Sequence, residues 1–350
     1  MKLLSALLGT PQAFAVDLSD TTLQIMEVRG GGTGRVGAFT HQDIPPGLIE
    51  NGRILDQAKL AEAIRAGMNS CKPGPPSTKR AAAELPDTQT FLHHIRCEET
   101  RTHTEMREHI RTIAEEHVPL NLEESYWDFK ITEQSAEGME ILFAAAPKAI
   151  IEIYVHTFTL AGLELVLLEP ESIALARGVV ERVKIPAGSI QAIIDIGGRS
   201  TTMVFVERTG VRLSVSVPAA GQAFTAAIAE AKHLDSETAE QVKREQGFSD
   251  GVVAEAVRKA LSPVLEEFAK AHEFACRTSG CSLGGIILAG GSSAMPGLAE
   301  ELKTQFGCEI TMAKVPFTVG GLQLHQIATI SGLAVRAKKL SPGINFIQKT

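Results

Sequence analysis

Apolar positions in this chain fall in short runs closed by polar turns. The clearest reads Ser189-Ile190-Gln191-Ala192-Ile193-Ile194-Asp195-Ile196-Gly197-Gly198-Arg199-Ser200-Thr201-Thr202-Met203-Val204-Phe205-Val206. It predicts a buried strand ending at Asp195, a tight glycine turn with left-handed backbone, and a returning strand from Met203. The same order appears near the N-terminus: apolar Phe14-Ala15-Val16, then Asp17, a small polar turn, and the β-rich return Leu23-Gln24-Ile25-Met26-Glu27-Val28. A third glycine site follows late, where the run Ile286-Ile287-Leu288-Ala289 meets a Gly290-Gly291-Ser292-Ser293 turn and a helix start.

The rest of the pattern fills in around these three stretches. A strand is expected at 35–40, and a helix at 56–68, with Leu60, Ala63, Ile64 and Met68 at helical spacing and Asp56 as cap. A strand at 81–84 follows a Pro-rich loop. Residues 86–148 carry their own pattern: a strand at 91–95, a helix opened by the capping box Thr102-His103-Thr104-Glu105 and closed before Pro119, then strands at 126–131 and 139–146. Next come a helix at 149–160, a strand at 164–168 and a helix at 171–183. After the second hairpin we expect a strand at 211–217, a helix at 220–231, and a helix capped by Asp235 or Ser236 that ends at Gly247. Then follow a helix started by Pro263 and running to 277, a strand at 285–289, a helix at 298–306, a strand at 309–312, a helix at 328–337 and a tail.

Composition narrows the class. With 350 residues, 44% of them hydrophobic, the chain can bury a large core, and its length suggests about two domains. A net charge of −7 argues against a general nucleic-acid role, and one Trp with two Tyr argues against a base-stacking platform. The five cysteines are odd in number and lack Cys-x-x-Cys spacing, so free thiols in a reducing compartment are expected. The most apolar stretch, 141–168, is interrupted by Lys148, Glu152 and Glu164, and no run is long and uncharged enough to span a bilayer. Lys2, the following leucines and Ala13-Phe14-Ala15 imitate a secretion signal. Cleavage there would remove part of the first Asp strand, so a short amphipathic leader over 1–10 is expected instead. Gly30-Gly31-Gly32-Thr33-Gly34 lacks the Lys-Ser/Thr and the helix of a phosphate loop and reads as a hairpin tip. His93 and His94 have no partners at metal-ligand spacing and read as surface or packing residues.

An apolar strand, an Asp and a glycine turn can cradle a phosphate, because bare glycines let backbone N–H groups approach the oxygens. The carboxylate can hold Mg²⁺, usually through water. One such turn is equally a plain hairpin; two, far apart in one chain, suggest two similar halves gripping one nucleotide. Gly221 could approach the phosphates or merely start a helix. Glu240 and Lys243 share a helix face.

The order Asp-hairpin, Asp-hairpin, strand-Gly-Gly-helix resembles the actin-like ATPase superfamily. More specifically, the chain resembles the type IV pilus assembly protein PilM family, relatives of the cell-division protein FtsA. The resemblance rests on Val16-Asp17-Leu18-Ser19-Asp20-Thr21, Leu85-Pro86-Asp87 before Phe91, Val118-Pro119-Leu120, Ala161-Gly162-Leu163, the stretch from Glu169 to Arg177, and Gly332-Leu333-Ala334-Val335-Arg336. It implies an α/β actin-like ATPase fold, with two facing βαβ-type lobes around a nucleotide cleft. The first lobe would comprise 1–85, 149–188 and 326–340, the second 189–325. Residues 86–148 would form an inserted small subdomain, a contact surface for partners or for self-association, and 341–350 a tail.

By the same resemblance, Asp17 and Asp195 would position Mg²⁺. Ser19, Asp20, Thr21, Thr22, Gly197, Gly198, Ser200 and Thr201, with Gly221, would hold the phosphates of ATP. Gly290, Gly291 and Ser292 would line the nucleoside pocket. Glu240 and Lys243 would contact the adenosine, unless they form an ordinary exposed ion pair. Glu169 and Glu171 lie where the superfamily often places a polar residue near the attacking water; the other reading is of helix N-terminal acids favoured by the dipole. Hydrolysis is therefore expected to be slow or absent.

The function implied is an ATP-binding cytoplasmic scaffold of a type IV pilus or related secretion platform, held at the inner membrane by partners. One partner would be a PilN-like membrane protein, bound through a short N-terminal segment of Ile-Asn-Leu type. Rival readings are a small-molecule kinase and an FtsA-like filament, although 341–347 is too short for the amphipathic anchor of the latter. Ile344-Asn345-Phe346-Ile347 is similar to the partner's motif and could occupy the partner's groove, or be a terminal strand with no such role.

Overall fold

The structure is a computed structural model that describes residues 12–31, 34–97, 103–135, 138–180 and 183–347. The leader at 1–10, Gly32 and Thr33 of the glycine run, Thr102 of the capping box and the last three residues lie outside these.

In chain order, β1 (Phe14–Leu18), β2 (Thr22–Arg29) and β3 (Arg35–Asp43) form an antiparallel meander. The small hairpin β4 (Ile49–Glu50) and β5 (Arg53–Ile54) precedes α1 (Gln57–Ser70), whose first turn is capped by the Asp56 side chain on the Lys59 N–H. β6 (Arg80–Leu85) then runs parallel to β1. The insertion consists of β7 (Phe91–Cys97), α2 (His103–His117), β8 (Ser125–Ser135) and β9 (Gly138–Pro147). Its antiparallel sheet, in the order β7-β9-β8, shares with α2 a core of its own that includes Ile95, Ile110, Ala114, Ile141 and Phe143. α3 (Lys148–Leu160), β10 (Glu164–Pro170) and α4 (Glu171–Val180) follow, with β10 parallel to β6.

The second meander is β11 (Ser189–Ile196), β12 (Thr201–Glu207) and β13 (Gly210–Val217). After it come α5 (Gly221–Lys232), α6 (Ser236–Glu245), α7 (Gly251–Ser279), β14 (Ser282–Ala289), α8 (Leu298–Phe306), β15 (Ile310–Met312) and α9 (Ala328–Lys339).

The chain divides into two units. Unit 1 holds the described residues up to Gly178, with Pro316–Gly320 and everything from Thr329; unit 2 holds Val179–Val315 and Gly321–Ala328. The first break falls at Gly178 rather than at 188 because α4 is bound to α9: a Cβ on Gly332 would lie 1.9 Å from the Ala174 carbonyl, so the two backbones touch. Each unit is built on one five-stranded sheet, ordered β10-β6-β1-β2-β3 in unit 1 and β13-β12-β11-β14-β15 in unit 2. Both sheets are a meander extended beside its first strand by two parallel strands. The duplicated sequence motif is thus a duplicated topology, and Asp17 and Asp195 occupy equivalent ends of β1 and β11.

Two helices differ from expectation. α7 does not start at Pro263 but contains it; its cap is Asp250, whose side chain accepts the N–H groups of Val252 and Val253. Proline removes one helical hydrogen bond. The helix continues because Val253, Val257, Leu261, Val264, Phe268, Ala271 and Ala275 make one unbroken buried face. α6 ends at Glu245, and Gly247 (φ +48°) instead opens a short 3₁₀ turn whose backbone lies against Pro296.

The end of β10 carries a buried ion cluster. Glu169 is fully buried and accepts both Arg177 guanidinium nitrogens at 2.7 Å, one on each oxygen; Arg336 of α9 donates to Oε2 as well. Burial opposes ionisation, but the two guanidinium groups keep the carboxyl below its usual pKa range. Glu169→Ala would leave the buried Arg336 and the partly buried Arg177 without their carboxylate, and a loss of about 3–5 kcal/mol is expected. Denaturant unfolding of the variant checks this, and a change below about 1 kcal/mol would contradict it.

Candidate functional site

In unit 2 the hairpin β11–β12 lies under two helix-type turns. The N–H groups of Gly221 and Gln222, at the start of α5, donate to the carbonyls of Gly197 and Gly198 at 3.2 and 2.8 Å. The Ser292 hydroxyl donates to the Gly197 carbonyl at 3.0 Å. These contacts leave no room for side chains. A Cβ at Gly221 would meet Ser292 Oγ at 2.2 Å, and one at Gly290 would meet Asp195 Oδ1 at 2.3 Å. Gly197, Gly221, Gly290, Ser292 and Asp195 are therefore brought together at the C-terminal ends of the parallel strands β11 and β14, where open α/β sheets place their ligands. Gly197 differs from expectation: its backbone is not left-handed. Glycine is needed there for space, because a Cβ would sit 3.0 Å from the Ser200 carbonyl.

α6 braces this cradle. Lys243 is buried, and its ammonium donates to Gly221 O and Thr225 Oγ1 at 3.0 Å each and to Glu240 Oε2 at 2.6 Å. Burial pulls its pKa down, and Glu240 opposes that shift. Glu240 also accepts from Thr225 and from Arg244. The pair is thus neither an ordinary exposed ion pair nor a free ligand hook: two ammonium hydrogens hold the start of α5 and the third is held by Glu240. Thr201 departs from its expected phosphate role too, since its hydroxyl is buried and donates to the Ala219 carbonyl at 2.7 Å. Ser200 is exposed at the hairpin tip. Gly291 follows Gly290, whose N–H donates to the His325 carbonyl.

The first hairpin of unit 1 is closed by its own hydroxyls. Ser19 Oγ accepts from the Thr21 and Thr22 N–H groups and pairs with the Thr22 hydroxyl at 2.8 Å. Asp20 is diverted from phosphate duty, because its two oxygens accept the N–H groups of Asn51 and Gly52 at 2.8 and 3.0 Å. These two residues form the left-handed tip of β4–β5. Asp17 stands at the end of β1 beside Glu84 of β6. Glu84 Oε1 accepts the Leu18 N–H, and no donor reaches its buried Oε2. Burial raises Asp17 to about 6, with the Glu84 side chain moderating the shift. Burial, then the charges of Asp17 and Glu171, push Glu84 well above the carboxylate range. Glu169 does not join this group. Both its oxygens belong to Arg177 and Arg336, which withdraws it from the water-positioning role; Glu171 starts α4 nearer the pair.

A family model for the type IV pilus assembly protein PilM matches residues 15–335. The chain belongs to the PilM family. Among solved structures it is similar to a PilM–PilN type IV pilus biogenesis complex, with TM-score 0.80 and 25% identity over 94% of this chain and 99% of that one. The ethanolamine utilization protein EutJ from Carboxydothermus hydrogenoformans (TM-score 0.56, 16% identity, 92% and 89% of the two chains) shares the fold. So does MreB 5 of Spiroplasma citri bound to AMPPNP (TM-score 0.54, 14%, 95% and 97%). The fold is thus that of the actin-like ATPases. EutJ of Escherichia coli (strain K12) is 32% identical over 114 residues, a match spanning 33% of this chain and 38% of that protein. No helix among the described residues is long and apolar enough to cross a membrane.

Sequence reasoning passed over Glu84 and Thr225. Glu84 closes the strand expected at 81–84 and carried no site reading; the signal was its place at the end of a strand able to pair beside β1. Thr225 is four residues past Gly221, one helical turn into the same site. The Asn51-Gly52 dipeptide was also a hairpin signal.

The carboxyl pair sets a pH dependence. Asp17 moves from 3.8 to about 6 on folding, so between those values the folded chain binds more protons than the unfolded one. Stability therefore falls as pH rises through that window. Glu84→Gln keeps the acceptor for Leu18 and removes one charge. It should stabilise the Mg²⁺-free chain at pH 7 by on the order of 1–2 kcal/mol, with the gain gone near pH 4. Thermal melts at both pH values decide; a destabilised variant at pH 7 contradicts the pairing.

Proposed function

We propose that this PilM-family chain is an ATP-binding scaffold of a type IV pilus or related assembly platform. It works on the cytoplasmic side of the inner membrane and binds the N-terminal segment of a PilN-like protein. The observation that carries the nucleotide reading is the glycine cradle at Asp195, together with its topological duplicate at Asp17. The partner reading rests on family membership and on similarity to the PilM–PilN complex.

The residues fit the ligand chemically. Backbone N–H groups at Gly198 and Gly291 would suit phosphate oxygens, while the N–H groups of Gly197 and Gly290 hold the turns themselves, and glycine at 290 avoids a collision with Asp195. The carboxylates of Asp17 and Asp195, one per hairpin, are hard oxygen donors of the kind Mg²⁺ takes and would be the residues to hold it. Mg²⁺, when bound, would neutralise phosphate charge. Lys243 and Glu240 keep the start of α5 in place rather than touch the nucleoside. Thr21, Ser19 and Thr22 shape the first turn. Glu169 is locked in its ion cluster, so of the two expected carboxylates Glu171 would be the one to orient water. ATP therefore acts mainly as a conformational ligand, shifting populations by its differential affinity.

Titration with labelled ATP, with and without Mg²⁺, tests the reading. Asp195→Ala and Asp17→Ala should each lower Mg²⁺-dependent affinity at least tenfold while circular dichroism stays unchanged. Unchanged affinity in both would defeat it. Gly290→Ala should abolish binding more completely, since it combines a φ of +85° with a collision against Asp195; retained binding would show that the cradle is not the nucleotide site.

A further inference from the structure

β10 is an outer strand of the unit 1 sheet, and the chain's own C-terminal residues lie on its free edge. The Phe346 N–H donates to the Leu168 carbonyl at 2.9 Å. Asn345 does the rest with its side chain: Oδ1 accepts the Leu168 N–H at 3.0 Å, and Nδ2 donates to the Val166 carbonyl at 3.2 Å. Its primary amide thus stands in for a peptide group of a neighbouring strand. The Asn345 N–H donates to Asp128 Oδ2 on β8 of the insertion, at 3.0 Å. On either side Ile344 and Phe346 are only 1% and 3% exposed. The Ile344 and Ser341 carbonyls accept from Arg336, the residue that also holds Glu169.

The attachment is short and hinged. Leu340 has φ +47° and Gly343 φ +156°, with Pro342 between them, so the chain turns away from α9 before it meets β10. Among the described residues, Asn345 and Phe346 make the hydrogen bonds to the edge. The site is also chemically selective. It offers one N–H and one carbonyl at a spacing that a single Asn amide spans, flanked by apolar ground on both sides. Asp cannot donate to the Val166 carbonyl, and Ala would leave both groups unpaired.

We propose that residues 344–346 are a resident, displaceable occupant of a peptide groove formed by the β10 edge and Asp128. The groove takes an extended apolar–Asn–apolar segment from a partner, by strand addition with side-chain pockets. This rests on the reading of the chain as a scaffold that binds a partner's short segment, and adds the regulation of that binding. A tethered tail acts at an effective concentration of roughly millimolar. The partner's segment must outcompete it, so the tail sets a threshold for assembly.

The test uses a labelled synthetic peptide of residues 341–350 and three proteins: the full chain, the chain ended after Leu340, and the full chain carrying Asn345→Ala. Binding is read by fluorescence anisotropy, and folding by circular dichroism. The shortened chain should bind the peptide at least tenfold more tightly than the full chain, and Asn345→Ala should fall between them. A peptide carrying Asn345→Ala should bind none. A folded shortened chain that ignores the peptide, or an Asn345→Ala chain matching the unaltered one, overturns the proposal. Should the shortened chain fail to fold, the Asn345→Ala chain alone decides by the same criterion. The N-terminal cytoplasmic segment of a PilN-like protein is the second probe. Equal affinity for all three proteins overturns the competition while leaving the scaffold reading intact. Binding to none of them, with the 341–350 peptide still exchanging, supports the groove and refutes the partner reading.

Discussion

Unit 1 depends on one buried carboxylate. Glu169 lies fully buried at the end of β10 and is compensated by two guanidinium groups from two different helices. A single charge in such a place would be untenable, and a carboxylate between two arginines is held in one geometry because both its oxygens have guanidinium donors, three bonds in all. That geometry places α4, whose backbone then touches α9 at Gly332, and α9 in turn delivers Arg336 to the tail. Strand end, two helices and the C-terminal segment are tied to one atom group. A hydrophobic replacement could pack as well, but it would not fix which helix meets which strand.

A different electrostatic arrangement stands at the ends of β1 and β6. There Asp17 and Glu84 lie side by side with no cation between them among the described residues, and burial leaves both reluctant to ionise. Nearby strands of one sheet thus end in a satisfied carboxylate at Glu169 and in an unsatisfied pair. Two carboxyls at the ligand end of a parallel sheet thus hold their protons to higher pH than free ones, and ionising them costs the fold stability.

The fold was legible because its repeat lies in covalent pattern: an apolar run, an Asp, a turn and a β-rich return, twice, give two meanders of the same topology. Glycines were legible as sites but not for their reason. Gly197 is needed for room beside Ser200, and the left-handed need falls on Gly290 instead. Side-chain direction was what the sequence hid. Thr201, Asp20 and Lys243 have the right chemistry for a nucleotide at the right places in the chain, yet each turns inward to a carbonyl, a backbone N–H pair or a carboxylate. Hydrogen-bond partners far apart in sequence decide this, and no local pattern encodes them. Pro263 misled for a related reason: a local rule against proline yields when a long apolar face anchors the helix on both sides.

The ion cluster also explains why a tail can leave without unfolding what it touches. Arg336 donates to Ser341 and Ile344 carbonyls and to Glu169. When the tail departs, the guanidinium loses two neutral acceptors, each worth about 1 kcal/mol net, and water or an incoming peptide's carbonyl can replace them. It keeps its carboxylate, so no buried charge is stranded, and the several-kcal/mol penalty of a broken ion pair never arises. Had the tail itself carried the counter-charge, its release would have cost the fold. With the charge balance kept inside the unit, and the tail assigned only hydrogen bonds and the apolar side chains of Ile344 and Phe346, an incoming apolar–Asn–apolar segment replaces like with like at the edge of β10.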